Sequence, residues 1–204
     1  YMLYPNARNL SEGNKSVDKG KFVLDLSGPL VTPGTYWVEM KAHGKSYKES
    51  FKILKDPRTV ATQEELEEQL RLLTEIRDKL SEIHQITDHI RSLMVQMEVY
   101  VKLKDSPETI GLAKKIKDEL GSIEYELVPV LTPGLSLRFL PTRLNAKVAA
   151  LTSVVSSVDA KPTQGAYDVF NDLSKRVEFQ IEKYQKIINI QLPKLVSLTD
   201  VEKP

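Results

Sequence analysis

Histidines and carboxylates gather at one place in this sequence. His84 and Asp88 stand four residues apart, His89 follows directly, and Asp78 and Glu82 lie about a turn upstream. On a helix, residues i and i+4 share a face, so His84 and Asp88 could offer a ring nitrogen and a carboxylate to one cation. A metal site needs three or four converging ligands. Only two of these residues clearly share a face, and they sit beside an apolar seam rather than in it. The expectation is a solvated polar face and no bound metal. Glu64, Glu65, Glu67, Glu68 and Glu75 crowd the start of the same helix, where negative charge complements the free backbone N–H groups. Glycosidase chemistry would need two carboxylates about 5 to 10 Å apart across a cleft, and their spacing builds no cleft.

Other chemistries lack their residues. The chain has no cysteine, which excludes disulfides, thiolate nucleophiles and Cys-ligated metals. No Gly-x-Ser-x-Gly, no glycine-rich phosphate loop and no His-Glu-x-x-His occurs. Lys114, Lys115 and Lys117 form a short basic run whose plainer reading is the wet face of an amphipathic helix. His43 is expected in a hairpin turn. Of the aromatic residues Tyr36, Trp37 and Tyr47, the two tyrosines fit a core-facing strand surface, and Trp37 points the other way. Trp37 is therefore the candidate ligand or partner contact. No catalytic residue, cofactor or metal ligand is expected.

Composition bounds the rest. With 204 residues, 41% hydrophobic and 28% charged, the chain is long enough for one or two domains with real cores. Its 29 basic and 28 acidic residues give a formal charge of +1, which supplies no electrostatic footprint for nucleic acid or an anionic membrane. No apolar run is long enough to span a bilayer. The opening Tyr-Met-Leu-Tyr-Pro-Asn lacks the basic and apolar regions of a signal peptide, and a chain that opens on Tyr1 is expected to be part of a longer or processed protein.

The elements that must position these residues fall into two halves. Residues 1–57 are β-like. Phe22-Val-Leu-Asp-Leu26 alternates, and Pro33-Gly34 is a turn signal. Tyr36, Val38, Met40 and Ala42 then share one face, opposite Trp37, Glu39 and Lys41. After His43-Gly44, Tyr47, Phe51 and Ile53 share a face opposite Ser46, Lys48, Ser50 and Lys52. Met2–Tyr4 is a possible strand stub, and 8–21 reads as a polar loop. Three strands are too few for an immunoglobulin- or fibronectin-like sandwich, which takes about seven strands and roughly 100 residues. Either the strands lean on the helices, or their partner strands lie upstream.

Beyond Asp56-Pro57-Arg58 the period changes. Thr62-Gln-Glu-Glu65 is a capping box. Leu66, Leu70, Leu73, Ile76, Leu80, Ile83, Ile86, Ile90, Leu93, Met97 and Val101 then recur in steps of three and four, as a bundle seam requires. Further helices are expected over 106–127, 142–158 and 163–192, after a first at 62–104. An apolar loop at 130–140 is expected to pack over the bundle. Two long helices of about 42 and 30 residues flank two short ones of about 20 and 17, which end to end match one long helix. The fold class expected is α+β, mostly α. It comprises a partial immunoglobulin-like hairpin region (1–57), then an elongated antiparallel helical bundle (58–204) three helices thick, with four as the alternative. A homodimer through the long helix follows if its seam exceeds what the shorter helices cover.

The segment Gly28-Pro-Leu-Val-Thr-Pro-Gly-Thr-Tyr36, the hairpin with His-Gly at its tip and the closing Lys55-Asp-Pro-Arg58 resemble the C-terminal region of large secreted bacterial proteins. Those proteins carry sortilin-type BNR-repeat β-propellers and are called glycosyl hydrolase- or sialidase-like. Tyr4-Pro-Asn-Ala7 and Asp159-Ala-Lys-Pro-Thr163 also resemble stretches of that family. The resemblance touches most of the chain, but the propeller with its Asp-box repeats is absent, so no propeller activity transfers to any residue here. It implies a non-catalytic C-terminal module with an extracellular or periplasmic location. The partners implied are the upstream propeller and a cell-envelope protein or glycan. A carbohydrate- or protein-binding module acting through Trp37 or the apolar loop is the alternative function, and an independent hydrolase is a third.

Overall fold

A capping box starts the helical part of the chain. In the computed structural model, which describes residues 28–103, 106–130 and 141–201, with side chains for 28–102, 106–130 and 141–198, the Glu65 N–H donates to Thr62 Oγ1 at 3.2 Å. The Thr62 N–H donates to Glu65 Oε2 at 2.8 Å. Two otherwise unpaired amides are thereby satisfied. Thr62→Ala is expected to cost about 1 kcal/mol, read as a lower urea midpoint. An unchanged midpoint would show that the cap contributes nothing.

From this cap α1 runs over Gln63–Leu103. Helices α2 (Pro107–Leu127), α3 (Leu144–Val155), α4 (Gln164–Lys186) and α5 (Leu192–Val201) follow, with a π turn at Ile187–Gln191 joining the last two. Ser106 holds the N-cap position of α2 with Pro107 behind it, but its side chain makes no capping bond. Thr163 does cap α4, accepting from the Ala166 N–H at 3.2 Å.

The packing is three rods. Helix α2 lies antiparallel to the second half of α1, as Arg91–Glu124 and Lys117–Glu98 contacts require. Helix α3 continues in the same direction along the first half of α1, where Gln69 reaches Val155. α2 and α3 therefore form one broken middle rod. The third rod, α4 to α5, runs parallel to α1, with Lys79 near Glu178 and His89 near Tyr184. All three rods contribute to one core: Leu72, Ile76, Ile83 and Ile90 from α1, Ile116 and Leu120 from α2, Val148 from α3, Val177 from α4 and Leu195 from α5 are all nearly sealed from solvent.

The α1 stripe is covered within the chain from Leu66 to Met97. Among the described residues Leu70 and Ile86 of that stripe are only partly buried, and Val95 and Val99 lie exposed on the same helix. The last helical rod runs past Pro193, where the sequence pattern stops it. A π turn carries it across (the Leu192 N–H donates to the Ile187 carbonyl, five residues back). Among the described residues no helix is long and apolar enough to cross a membrane.

Ahead of the bundle, β1 (Gly34–Ala42) and β2 (Lys45–Ile53) form an antiparallel two-stranded sheet. Tyr36 opposes Phe51, Met40 opposes Tyr47, and Trp37 opposes Ser50. The two-residue turn puts His43 at φ 50° and Gly44 at φ 73°. This positive pair matches the right-handed twist of the strands. Among the described residues neither strand lies against a helix. The hairpin segment is tied to the bundle by Gln63 Nε2, which donates to the Pro33 carbonyl at 3.1 Å. The Asp56-Pro57-Arg58 elbow between the two parts is closed by the Arg58 side chain, with Nη2 2.6 Å from Asp56 Oδ2. This pairing holds the Asp56 carboxyl below its usual range.

Residues 1–27, including the predicted strand at 22–26, the stub at 2–4, the polar loop at 8–21 and the Tyr4–Ala7 stretch, lie outside the described residues, as does most of the apolar loop at 130–140.

Candidate functional site

The polar side chains singled out along α1 are held by one another rather than aimed at a common point. Asp78 pairs with Arg77 at 2.6 Å, and Lys79 bridges Glu82 at 2.8 Å and Glu178 at 3.6 Å. An ammonium at the centre of such a cluster takes the place a cation would need. His89 bonds across the α1–α4 seam to the Tyr184 hydroxyl, its ring set edge-on to the phenol. Burial raises the Tyr184 pKa. Among the described residues no three His, Asp or Glu side chains are placed to hold a metal ion.

His84 is partly buried, and its Nε2 is sealed without a hydrogen-bond partner. Burial pushes its pKa below 6.5, Asp88 pulls it back up, and Arg91 adds to the lowering. The unfolded chain therefore takes up this proton before the folded chain does. Stability from His84 is complete above about pH 6.5 and is lost as pH falls through that value toward the folded pKa. Urea midpoints should decline over that window, and His84→Leu should shrink the decline. An equal decline in both proteins would remove His84 as its source.

A groove of about 790 Å³ opens between α1 and α4, lined by Glu75, Asp78, Lys79, Glu82, Phe170 and Ser174 among others. On its acidic rim Glu82 and Glu178 meet Lys79, and Asp78 meets Arg77. The acids at the start of α1 likewise have structural work. Glu65 closes the cap, Glu67 accepts from Gln63 at 2.9 Å, and Glu68 meets Lys161 at 3.1 Å. Of the basic run, Lys117 bonds Glu98 at 2.7 Å and Lys115 lies 3.9 Å from Glu119.

Two buried polar residues escape the sequence pattern. Gln69 is 8% exposed and donates to the Val155 and Val158 carbonyls at 2.7 and 2.6 Å, finishing the C-terminal end of α3. Glu124 is 6% exposed and accepts from Arg91 Nε at 2.6 Å. Both act between helices far apart in sequence, which no local spacing signals.

The hairpin is where side chains lie unengaged on a surface. One face carries Tyr36, Val38, Met40, Tyr47 and Phe51, with the last four between 45% and 56% exposed. The other carries Trp37, 62% exposed, with Lys48 Nζ 5.2 Å from its ring centre. The structure thus leaves Trp37 accessible on the polar face and places His43 in the turn. Compared with protein-family models, with curated proteins and with solved structures, the chain matches none of them.

Proposed function

We propose that this chain is a non-catalytic C-terminal module of a larger secreted, propeller-bearing bacterial protein. In this reading the hairpin completes an immunoglobulin-like β-domain. The bundle supports or positions what precedes it, or mediates assembly at the cell envelope. One observation carries the reading: the hairpin's apolar face is about half exposed while the helical core beside it is closed. A two-stranded sheet is at best marginally stable in water, and contiguous exposed apolar surface marks an interaction site. The motifs at Gly28–Tyr36 and Lys55–Arg58 support a β-domain as the cover. The ion pairs of Glu68, Asp78, Glu82 and Glu98, and the capping role of Glu65, support a structural rather than a catalytic use of these carboxylates.

An antibody to this chain tests the reading on the native source by immunoblot. A product several times heavier than 23.1 kDa is expected, with protein outside the cytoplasm. A stable native product of 23.1 kDa would sink the proposal. So would turnover of a glycosidic substrate by the isolated chain that a single carboxylate substitution abolishes.

A further inference from the structure

The two faces of the hairpin differ in chemistry. Along β1, Trp37 is flanked by Thr35 and Glu39, and across the ladder it opposes Ser50. Its diagonal neighbours on β2 are Lys48 and Lys52, a spacing of roughly 7 to 8 Å in an antiparallel pair. Glu39 is already engaged: it accepts from Ser46 Oγ at 2.6 Å and lies 3.8 Å from Lys41 Nζ. Lys48 rests over the indole, and neither Lys48 nor Lys52 meets a carboxylate among the described residues. The face is therefore an exposed aromatic plane set among two ammonium groups, two hydroxyls and the Glu39 carboxylate, which opposes Lys48 across the ladder and is held by Ser46 and Lys41.

We propose that this face binds a carboxylate-bearing sugar polymer, a polyuronate. The C–H face of a pyranose ring stacks on the Trp37 indole, an amphipathic surface suited to a ligand that is apolar on one side and wet on the other. The ring carboxylate takes Lys48 or Lys52 in a charge-assisted bond, drawing Lys48 off the indole it now covers. Ring hydroxyls meet Thr35 and Ser50. The charge complement selects this partner: two lysines without a carboxylate partner ask for an anionic ligand, and the exposed indole beside them asks for a ring with an apolar face. Nucleic acid would need a broad basic surface, and the chain carries 29 basic against 28 acidic residues. An acidic peptide would need side-chain pockets, which a flat two-stranded face does not offer. Each sugar contributes little, so affinity grows with polymer length. This inference stands apart from the domain reading, because a cover on the apolar face leaves the Trp37 face outward.

Trp37 is the only tryptophan in the chain, so its fluorescence reports binding directly. The full chain is titrated with polygalacturonate, with neutral pullulan and with dextran sulfate. Polygalacturonate is expected to shift the emission, with an affinity that falls as salt rises; pullulan is expected to leave it unchanged. By affinity electrophoresis, Trp37→Ala should weaken binding about tenfold. Trp37→Tyr should keep most of it, and Lys48→Glu combined with Lys52→Glu should abolish it. Hydrogen exchange of the β1 and β2 amides establishes that each variant keeps its hairpin. The proposal is overturned if polygalacturonate leaves emission and mobility unchanged. It is equally overturned if Trp37→Ala with an intact hairpin binds as well as the parent, or if dextran sulfate binds as tightly regardless of Trp37, since the lysines would then act as a simple ion exchanger.

Discussion

Deleting Ile190 will lower the stability of the bundle by about 3 kcal/mol, and replacing Pro193 with alanine in the same chain will restore most of that loss. Ile190 is 65% exposed, so its own side chain contributes little. What changes is the π turn. In a regular helix, two turns beyond the buried Ile187 is Lys194, because 3.6 residues make a turn. The extra residue of the π turn brings Leu195 inward instead, 1% exposed, and leaves Lys194 exposed. Removing Ile190 restores a regular helix that still points Leu195 inward. It also brings the Pro193 ring against the carbonyl one turn back, with no N–H to offer it. Pro193→Ala alone should change little, since the choice of Leu195 over Lys194 keeps the π turn in place. Urea unfolding of the four proteins decides the matter. A neutral deletion, or a double variant no better than the deletion, would show that the π turn is not what accommodates Pro193.

Arg91→Ala should cost about 2 kcal/mol. The Glu124 carboxylate lies between α1 and α2 with an 8% exposed side chain, and Arg91 Nε donates to it at 2.6 Å. Without Arg91 a buried negative charge loses its counter-ion. The half-exposed guanidinium keeps the effect at the low end for a buried pair. Arg91→Ala combined with Glu124→Leu should recover to within about 1 kcal/mol of the parent, because an apolar side chain needs no partner there. A double-mutant cycle in urea measures this. If the double variant is less stable than Arg91→Ala alone, the carboxylate has a role the ion pair does not explain.

Much of the architecture was legible in residue spacing, and the misses have a common cause. The alternation around Trp37 assigned both hairpin faces, since period two and a two-residue turn leave one register. The α1 stripe was drawn as a narrow seam, yet Leu72 and Gln69 are buried while Leu70 and Ile86 are only partly so. A helix facing two other rods buries a wider arc than a heptad seam describes. In the last rod Leu195 is buried and Lys194 exposed, because the π turn at Ile187–Gln191 shifts the inward face by one residue beyond it and no composition rule announces it. In α3, Val155 is buried and its neighbour Val154 is 61% exposed, a choice that adjacent valines cannot reveal. Of the candidate chemistry, the exposure of Trp37 was readable. The His89–Tyr184 and Arg91–Glu124 contacts join residues far apart in sequence, and only the packing of the rods brings them together.

Three passes is an odd number. The chain enters the bundle at Gln63 and leaves along α5, which packs against α2 where that helix lies along the far half of α1, so entry and exit are separated by much of the length of α1, which is about 60 Å. An even-numbered bundle would return the chain to its starting end and act as a plug. In this three-rod bundle the residues that lead into α1 and those that end α5 are set apart along the rods. A pull along the chain would load α1 lengthwise, and the rods would have to slide past one another to yield.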